Sequence, residues 1–376
     1  MFKIFFILFV VVILSYLSQK QSIKYENINM SIDGRKQWDI FLILLVVFLI
    51  LLGGLRTNYN DTATYITGFN NSLSFREFMS DINNFELMGN PLFYLFQSFI
   101  RTFTYNYTVF FIICSIITNV LIVRFIKRNV IINYFWLSMF LYCCLGLFTF
   151  SLAAQKQILA MSILTLSLES LFEKKYFKFY MVVLIAGLIH TYAWVFIFLP
   201  LFNTKPWSIR TYLLLILTFF VMLTFENTLS SLVALADQIG KGLDAKELLE
   251  QTGMNYYRVA VYSVVPIMSL VFKRYVNRNI DLKNSILIQM SILTLVFMLL
   301  GSISAANMFG RMGIYFELGY ICSLPYIIQN IFENTSIKIV LIVTTIFFLI
   351  FFYMNNLSFS WEYQYKTIMK FISEVI

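Results

Sequence analysis

Long uncharged stretches constrain this chain more than any motif in it. The run from Ile40 to Leu55 holds no ionisable side chain and is followed at once by Arg56. In hydrocarbon the backbone has no water to bond, so a run of about 17–25 apolar residues is stable as a helix that satisfies itself. Comparable runs lie near 2–18, 38–55, 107–124, 130–150, 152–172, 179–202, 211–226, 259–273, 285–304, 308–330 and 337–354. They predict an all-α polytopic membrane protein with about eleven hydrophobic segments, about ten to twelve transmembrane helices and folded extracytoplasmic loops. With 60% hydrophobic and only 12% charged residues, against about 25% charged in soluble domains, little remains from which to build a water-soluble fold.

No internal repeat, low-complexity tract or Pro/Gly-rich linker divides residues 1–376, which read as a single polytopic membrane domain with no appended soluble catalytic domain. The first run, with Lys3 in front, resembles a signal peptide. It continues into Ser15-Tyr16-Leu17-Ser18-Gln19-Lys20 without a small-residue cleavage site, which predicts a retained first helix.

The net charge of +9 comes from 28 basic and 19 acidic residues. The basic ones gather in connectors: Lys20, Lys24, Arg35 and Lys36; Arg124, Lys127 and Arg128; Lys174, Lys175 and Lys178; Lys273, Arg274, Arg278 and Lys283. Such clusters mark cytoplasmic connectors, and no nucleic-acid partner is implied. Residues 56–105 are then a first extracytoplasmic loop with short helices. One is capped by Asp61 and runs through Tyr65; another is amphipathic, from Pro91 to Phe103. Counting fails between Lys178 and Lys273, because three apolar segments cannot join two cytoplasmic ends. One resolution breaks 179–202 near Gly187–Tyr192, as a broken or re-entrant segment, and makes 227–257 a second large extracytoplasmic loop.

Several chemistries lack their residues. A single histidine forbids H-E-x-x-H, and no Walker A or G-x-G-x-x-G sequence occurs. Cys114, Cys143, Cys144 and Cys322 lie in apolar runs without metal-ligand spacing and read as small core residues. No metal or other cofactor is expected.

Ionisable groups near membrane depth cost about 2.5–3.5 kcal/mol each on insertion scales, so those that occur are the functional candidates. Arg56, in Gly53-Gly54-Leu55-Arg56, precedes the helix start at Asp61. Its guanidinium could grip a diphosphate bidentately, or it could snorkel to headgroups or pair with Asp61. Lys156, flanked by Gln155 and Gln157, stands in the opening turns of an apolar helix. A cation there is unfavourable beside the positive helix end unless an anion binds both; alternatively the helix starts later and Lys156 anchors an interface. His190 is bounded by apolar sequence and is either a general base or sugar contact, or a hydrogen-bonded structural residue. Arg311 and Tyr315 share a helix face beside Gly310 and Gly313, as an oxyanion clamp or an interface arginine with its neighbour. Glu317 is a base or a helix-to-helix hydrogen bond.

In their order along the chain these residues resemble the EpsG family of polysaccharide-assembly membrane proteins, which are Wzy-like polymerases. The resemblance rests on Leu55-Arg56 with Asp61 and Tyr65, on Gln155-Lys156-Gln157-Ile158-Leu159-Ala160, on Lys174-Lys175 leading to Ala186 and His190, and on Arg311 with Tyr315. It runs from the first outer loop to the tenth segment. Two positions depart from the common pattern: Lys156 stands where an arginine is usual, and Thr62 follows Asp61 where a tyrosine is usual.

The resemblance implies a metal-independent glycosyltransferase in the bacterial plasma (inner) membrane. It would polymerise undecaprenyl-diphosphate-linked oligosaccharide repeats into O antigen, capsule or exopolysaccharide on the outer face. Donor and acceptor would both be such glycans, the bilayer would be the medium, and a flippase and a chain-length regulator would be partners. Catalytic roles would fall to His190, Arg56 and Arg311, and substrate binding to Asp61, Tyr65, Lys156, Gln157 and Tyr315. Two rival functions stay open: an O-antigen ligase, with the same donor and a lipid A core acceptor, and a lipid-linked oligosaccharide flippase or transporter. Paired broken helices in matching halves would mark a transporter, and no such symmetry is visible.

Overall fold

The computed structural model describes residues 2–28, 33–80, 89–225, 227–228, 230–231, 253–332, 334–356 and 359–375. They are overwhelmingly helical, as the uncharged runs require, and the protein is an all-α multi-pass membrane protein. Among the described residues, five helices are long and apolar enough to cross a bilayer: Phe2–Ile28, Gly34–Gly54, Tyr107–Asn129, Leu282–Gly301 and Ser336–Met354. Shorter apolar helices are Tyr176–Ile189, Thr191–Phe202, Ile209–Leu223 and Tyr256–Val271.

Several of the eleven expected segments are interrupted, each at an identifiable residue. The 130–150 run becomes Ile132–Cys144 and Leu147–Ala153, bent by 47°. The bend falls at Gly146, whose φ of 89° is a left-handed conformation that side chains with a Cβ resist. The 179–202 run breaks at His190: an α-helix ends at Ile189, and a 3-10 helix containing Pro200 begins at Thr191. The 308–330 run is two helices, Ala306–Ile314 and Glu317–Ile331, separated at Tyr315 and Phe316. Arg311 therefore lies on a short helix and not within a long span. Of the expected second loop, 227–257, residues 229 and 232–252 are outside the described residues.

The chain packs as two compact units. The first comprises residues 1–170, 176–191 and 342–376. Its main elements are α1 (Phe2–Ile28), α2 (Ile40–Gly54), β1 (Arg56–Asn58), α3 (Thr62–Asn70), α4 (Phe75–Ser80), α5 (Pro91–Arg101), α6 (Tyr107–Asn129), α7 (Phe135–Cys144), α8 (Leu147–Ala153), α9 (Gln155–Phe172) and α10 (Tyr176–Ile189). Helix α2 packs along α6 and α1. The α2–α6 approach is close because both residues ending α2 are glycines. A Cβ on Gly53 would meet the Ser115 hydroxyl, and one on Gly54 would meet Ile112.

Each end of this packing is fastened differently. Where α1, α2 and α6 meet, Lys127 pairs with Asp39 at 2.7 Å, with both side chains essentially inaccessible. The same ammonium donates to Gln37 O at 2.8 Å and Ser18 Oγ at 3.2 Å, while Ser18 donates to Asp39 at 2.7 Å. Asp39 Oδ1 also caps α2 through Leu42 N. At the opposite end of α2, β1 pairs antiparallel with β2 (Gln364–Tyr365), in the register Arg56 to Tyr365. Lys366 N adds a bond to Leu55 O at 2.8 Å. This two-stranded clip joins residues far apart in sequence, and no periodicity announces it.

The second unit comprises residues 171–175 and 192–341. Helix α11 (Ile209–Leu223) and helix α12 (Tyr256–Val271) pack on α13 (Leu282–Gly301), which also packs on α14 (Ala306–Ile314) and α15 (Glu317–Ile331). Gly319 allows the contact between α13 and α15, since a Cβ there would strike Met290 and Leu287 O.

Candidate functional site

The sequence-selected residues divide between the two units. Arg56, Asp61, Tyr65, Lys156, Gln157 and His190 belong to the first, Arg311 and Tyr315 to the second.

In the first unit the centre of the arrangement is Arg56, only 2% exposed. The end of α2 turns directly into β1, which folds the guanidinium back beneath the helix. There Nη1 donates to Gly53 O and Nη2 donates to Gln155 Oε1 at 2.6 Å. The Phe111 ring lies 4.1 Å from the guanidinium carbon, a cation–π contact. Burial lowers the Arg56 pKa to about 10, which still leaves it a cation near neutrality. Among the described residues no carboxylate pairs with it.

That geometry corrects two sequence expectations. Arg56 does not pair with Asp61. A bidentate grip on a diphosphate is also not what is built, because both terminal nitrogens are already bonded within the protein and the group is closed to solvent. Three buried polar atoms beside it lack a protein partner: Arg56 Nε, Gln155 Nε2 and Asn119 Oδ1. They line a cavity of about 10 Å³, with Ser115 and Thr118 also in its wall. That volume admits about one water molecule and no phosphate.

The accessible cation is Lys156, half-buried in the first turn of α9. Its neighbours come from the loop elements. Its Nζ lies 3.5 Å from Tyr94 Oη and 5.5 Å from the centre of the Phe93 ring, while its backbone N–H points to Tyr65 Oη at 3.4 Å. Helix α9 does begin at Gln155, so Lys156 is inside the helix and not ahead of it. Gln157 is buried next to it. Asp61 occupies the N-cap position of α3, but its side chain makes no capping bond, and the helix instead starts with Thr62 Oγ1 donating to Tyr59 O at 2.6 Å.

His190 sits at the break after α10, half-buried, with its backbone N–H still bonded to Ala186 O. The adjoining Thr191 donates its N–H to Asn90 Oδ1 at 3.0 Å. Asn90 holds a left-handed φ of 50° immediately before Pro91 starts α5. One turn further along α5 is Tyr94, the neighbour of Lys156. A single helical turn, about 6 Å of rise, thus links the His190 break to the Lys156 cluster.

In the second unit, Arg311 Nε donates to Asn307 Oδ1 one turn back at 3.0 Å. Tyr315 is fully buried and sits edge-on to Phe196, 6.4 Å between ring centres. Glu317, also fully buried, accepts a hydrogen bond from Tyr262 of α12, the helix-to-helix option.

Sequence reasoning missed Gln155 as the partner of Arg56, together with Phe111, Asn119 and Tyr94. Gln155 and Asn119 carried a signal, an amide inside apolar sequence. The aromatic neighbours carried none, being a few among 41 Phe and 23 Tyr.

The sequence model of the EpsG family matches residues 39–369. No curated protein and no solved structure matches the chain. The matched span contains the Arg56 and Lys156 segments, the His190 break and Arg311.

Proposed function

Because the chain belongs to the EpsG family, and is thus a polysaccharide-polymerase-like membrane protein, we propose that it is a metal-independent glycosyltransferase. It would join undecaprenyl-diphosphate-linked repeats into O antigen, capsule or exopolysaccharide at the outer face of the bacterial inner membrane. The observation that carries this reading is a fully buried guanidinium with no carboxylate partner among the described residues, bonded to Gln155, the residue before the half-buried Lys156 at the start of α9.

The chemistry follows from charge. An acceptor hydroxyl attacks the donor's anomeric carbon, the bond to the diphosphate oxygen breaks, and polyprenyl diphosphate leaves carrying the electron pair. Negative charge grows on that leaving group. Lys156 and the positive end of the α9 dipole meet it, and the fixed Arg56 charge behind them strengthens the interaction in a low-dielectric setting. Lys156 holds the anion as a point charge, without the fork an arginine would offer. His190, linked to this cluster through α5, takes the acceptor proton.

The test is polymer length against supply of the single repeat. Arg56→Ala and Arg311→Ala are each expected to abolish long polymer while single-repeat lipid-linked glycan still reaches the outer face. Wild-type chain lengths in either variant would remove that residue from the set of catalytic candidates. Transfer of one repeat to a lipid A core in place of chain growth would make the protein a ligase. For His190→Gln the pH dependence of the rate should vanish with folded protein retained; full activity would leave the histidine a packing residue.

A further inference from the structure

Two apolar grooves of equal size, about 700 Å³ each, flank α1 in the first unit. That volume falls within the range of about 300–1,000 Å³ found for sites that take small ligands. One groove runs toward α7 and is lined by apolar side chains and Thr345, with no charged residue. The other runs between α1 and the last turns of α2, with Phe6, Phe48 and Leu51 in its wall, and Lys3 and Lys366 also line it.

The geometry points to the Lys3 groove as the seat of the polyprenyl chain of a lipid-linked phosphate, with the phosphate at its cationic rim. This rests on the polymerase reading above.

Three observations select that occupant. The first is charge complementarity. Lys366 is already neutralised by Glu374 at 2.5 Å, whereas Lys3 is exposed, donates to Tyr363 O, and has no carboxylate partner among the described residues. The rim is therefore net positive, and an anion at the mouth of an apolar slot is what it fits. The second is contrast, since the uncharged groove on the other flank of α1 has the same size and offers a headgroup nothing. The third is continuity with the buried arginine. Leu55 lines the groove, accepts the Lys366 N–H, and is the residue before Arg56. The Tyr363 hydroxyl further pins this wall by donating to Leu52 O at 2.7 Å. A chain lying in the groove brings its phosphate to the strand that carries Arg56.

The experiment uses the full chain in phosphatidylglycerol-containing nanodiscs with a diazirine-bearing polyprenyl monophosphate. Peptides containing Phe48 and Leu51 are expected to be labelled. Excess unlabelled polyprenyl phosphate should compete, and excess phosphatidylglycerol should not. Lys3→Gln should cut capture about fivefold, the effect of removing one basic residue from an anionic lipid headgroup. Leu51→Trp, which fills the slot without touching the rim, should cut it as well. Equal labelling of the Trp136 groove, or displacement by phosphatidylglycerol, overturns the proposal in favour of ordinary bilayer lipid. Because capture needs no catalysis, the two readings fail separately. Polymerisation that survives without groove capture sinks the groove alone. Capture in a protein that never extends glycan sinks the polymerase reading, and the groove then stands only as a polyprenyl-phosphate site.

Discussion

The two ends of the α2–α6 packing each bury a cation, and they treat it in opposite ways. Lys127 is neutralised by Asp39 and completed by Ser18 and the Gln37 carbonyl. Arg56 is given neutral acceptors and an aromatic face, with one nitrogen left over. The first is a closed account of charge that fixes which helices meet. The second leaves a positive field unanswered by any carboxylate among the described residues, the condition under which a bound anion gains most. On the proposed function, the pair with its counter-ion holds the helices and the cation without one serves the reaction.

The largest effect should come from breaking the closed end. Asp39→Ala strands a buried ammonium and is expected to cost about 3–5 kcal/mol, read as a fall in thermal stability in detergent or loss of folded protein. The double variant Asp39→Leu with Lys127→Met removes both charges and should recover most of that loss. A double variant as unstable as the single would mean that the pair is not what holds α1, α2 and α6.

At the open end the sign of the comparison reverses. Arg56→Ala should lower polymerisation by about 10²–10³-fold, the cost of losing one electrostatic stabiliser of a developing anion. Its effect on thermal stability should be smaller than that of Asp39→Ala, since no opposite charge is orphaned. A variant that unfolds but retains its rate per folded molecule would make Arg56 structural. Gln155→Glu supplies the missing counter-ion and should convert the open end into a closed one. Thermal stability should hold or rise while activity falls about tenfold; unchanged activity would show that the uncompensated charge is not used.

The smallest expected effect is an absence of slope. With its pKa lowered by burial to about 10, Arg56 stays charged below that value, so its contribution to the rate should be flat from about pH 6 to about pH 9. The burial penalty on its charged form persists through that window and shrinks only as the pH rises through about 10. An Arg56-dependent inflection between about pH 6 and about pH 8, absent from Arg56→Lys, would show that its surroundings differ from those described.

Apolar run length settled the class of this protein, because hydrocarbon leaves the backbone no partner but itself and that demand is written locally. Charge where charge is expensive picked out Arg56, Lys156, His190 and Arg311, and the order of the motifs pointed to the family that the match over residues 39–369 then established. The sequence also marked where helices fail, as at the His190 break. It could not say what each charge would meet. Asp39 lies no farther from Arg56 in sequence than Gln155 does, yet it answers Lys127, and Gln155 answers Arg56. Those partnerships depend on how α2 and α6 approach through Gly53 and Gly54, and on a clip between β1 and a strand near the other end of the chain. Local pattern therefore determined which residues are costly, and tertiary packing alone decided which of those charges the described residues answer with a counter-ion and which they do not.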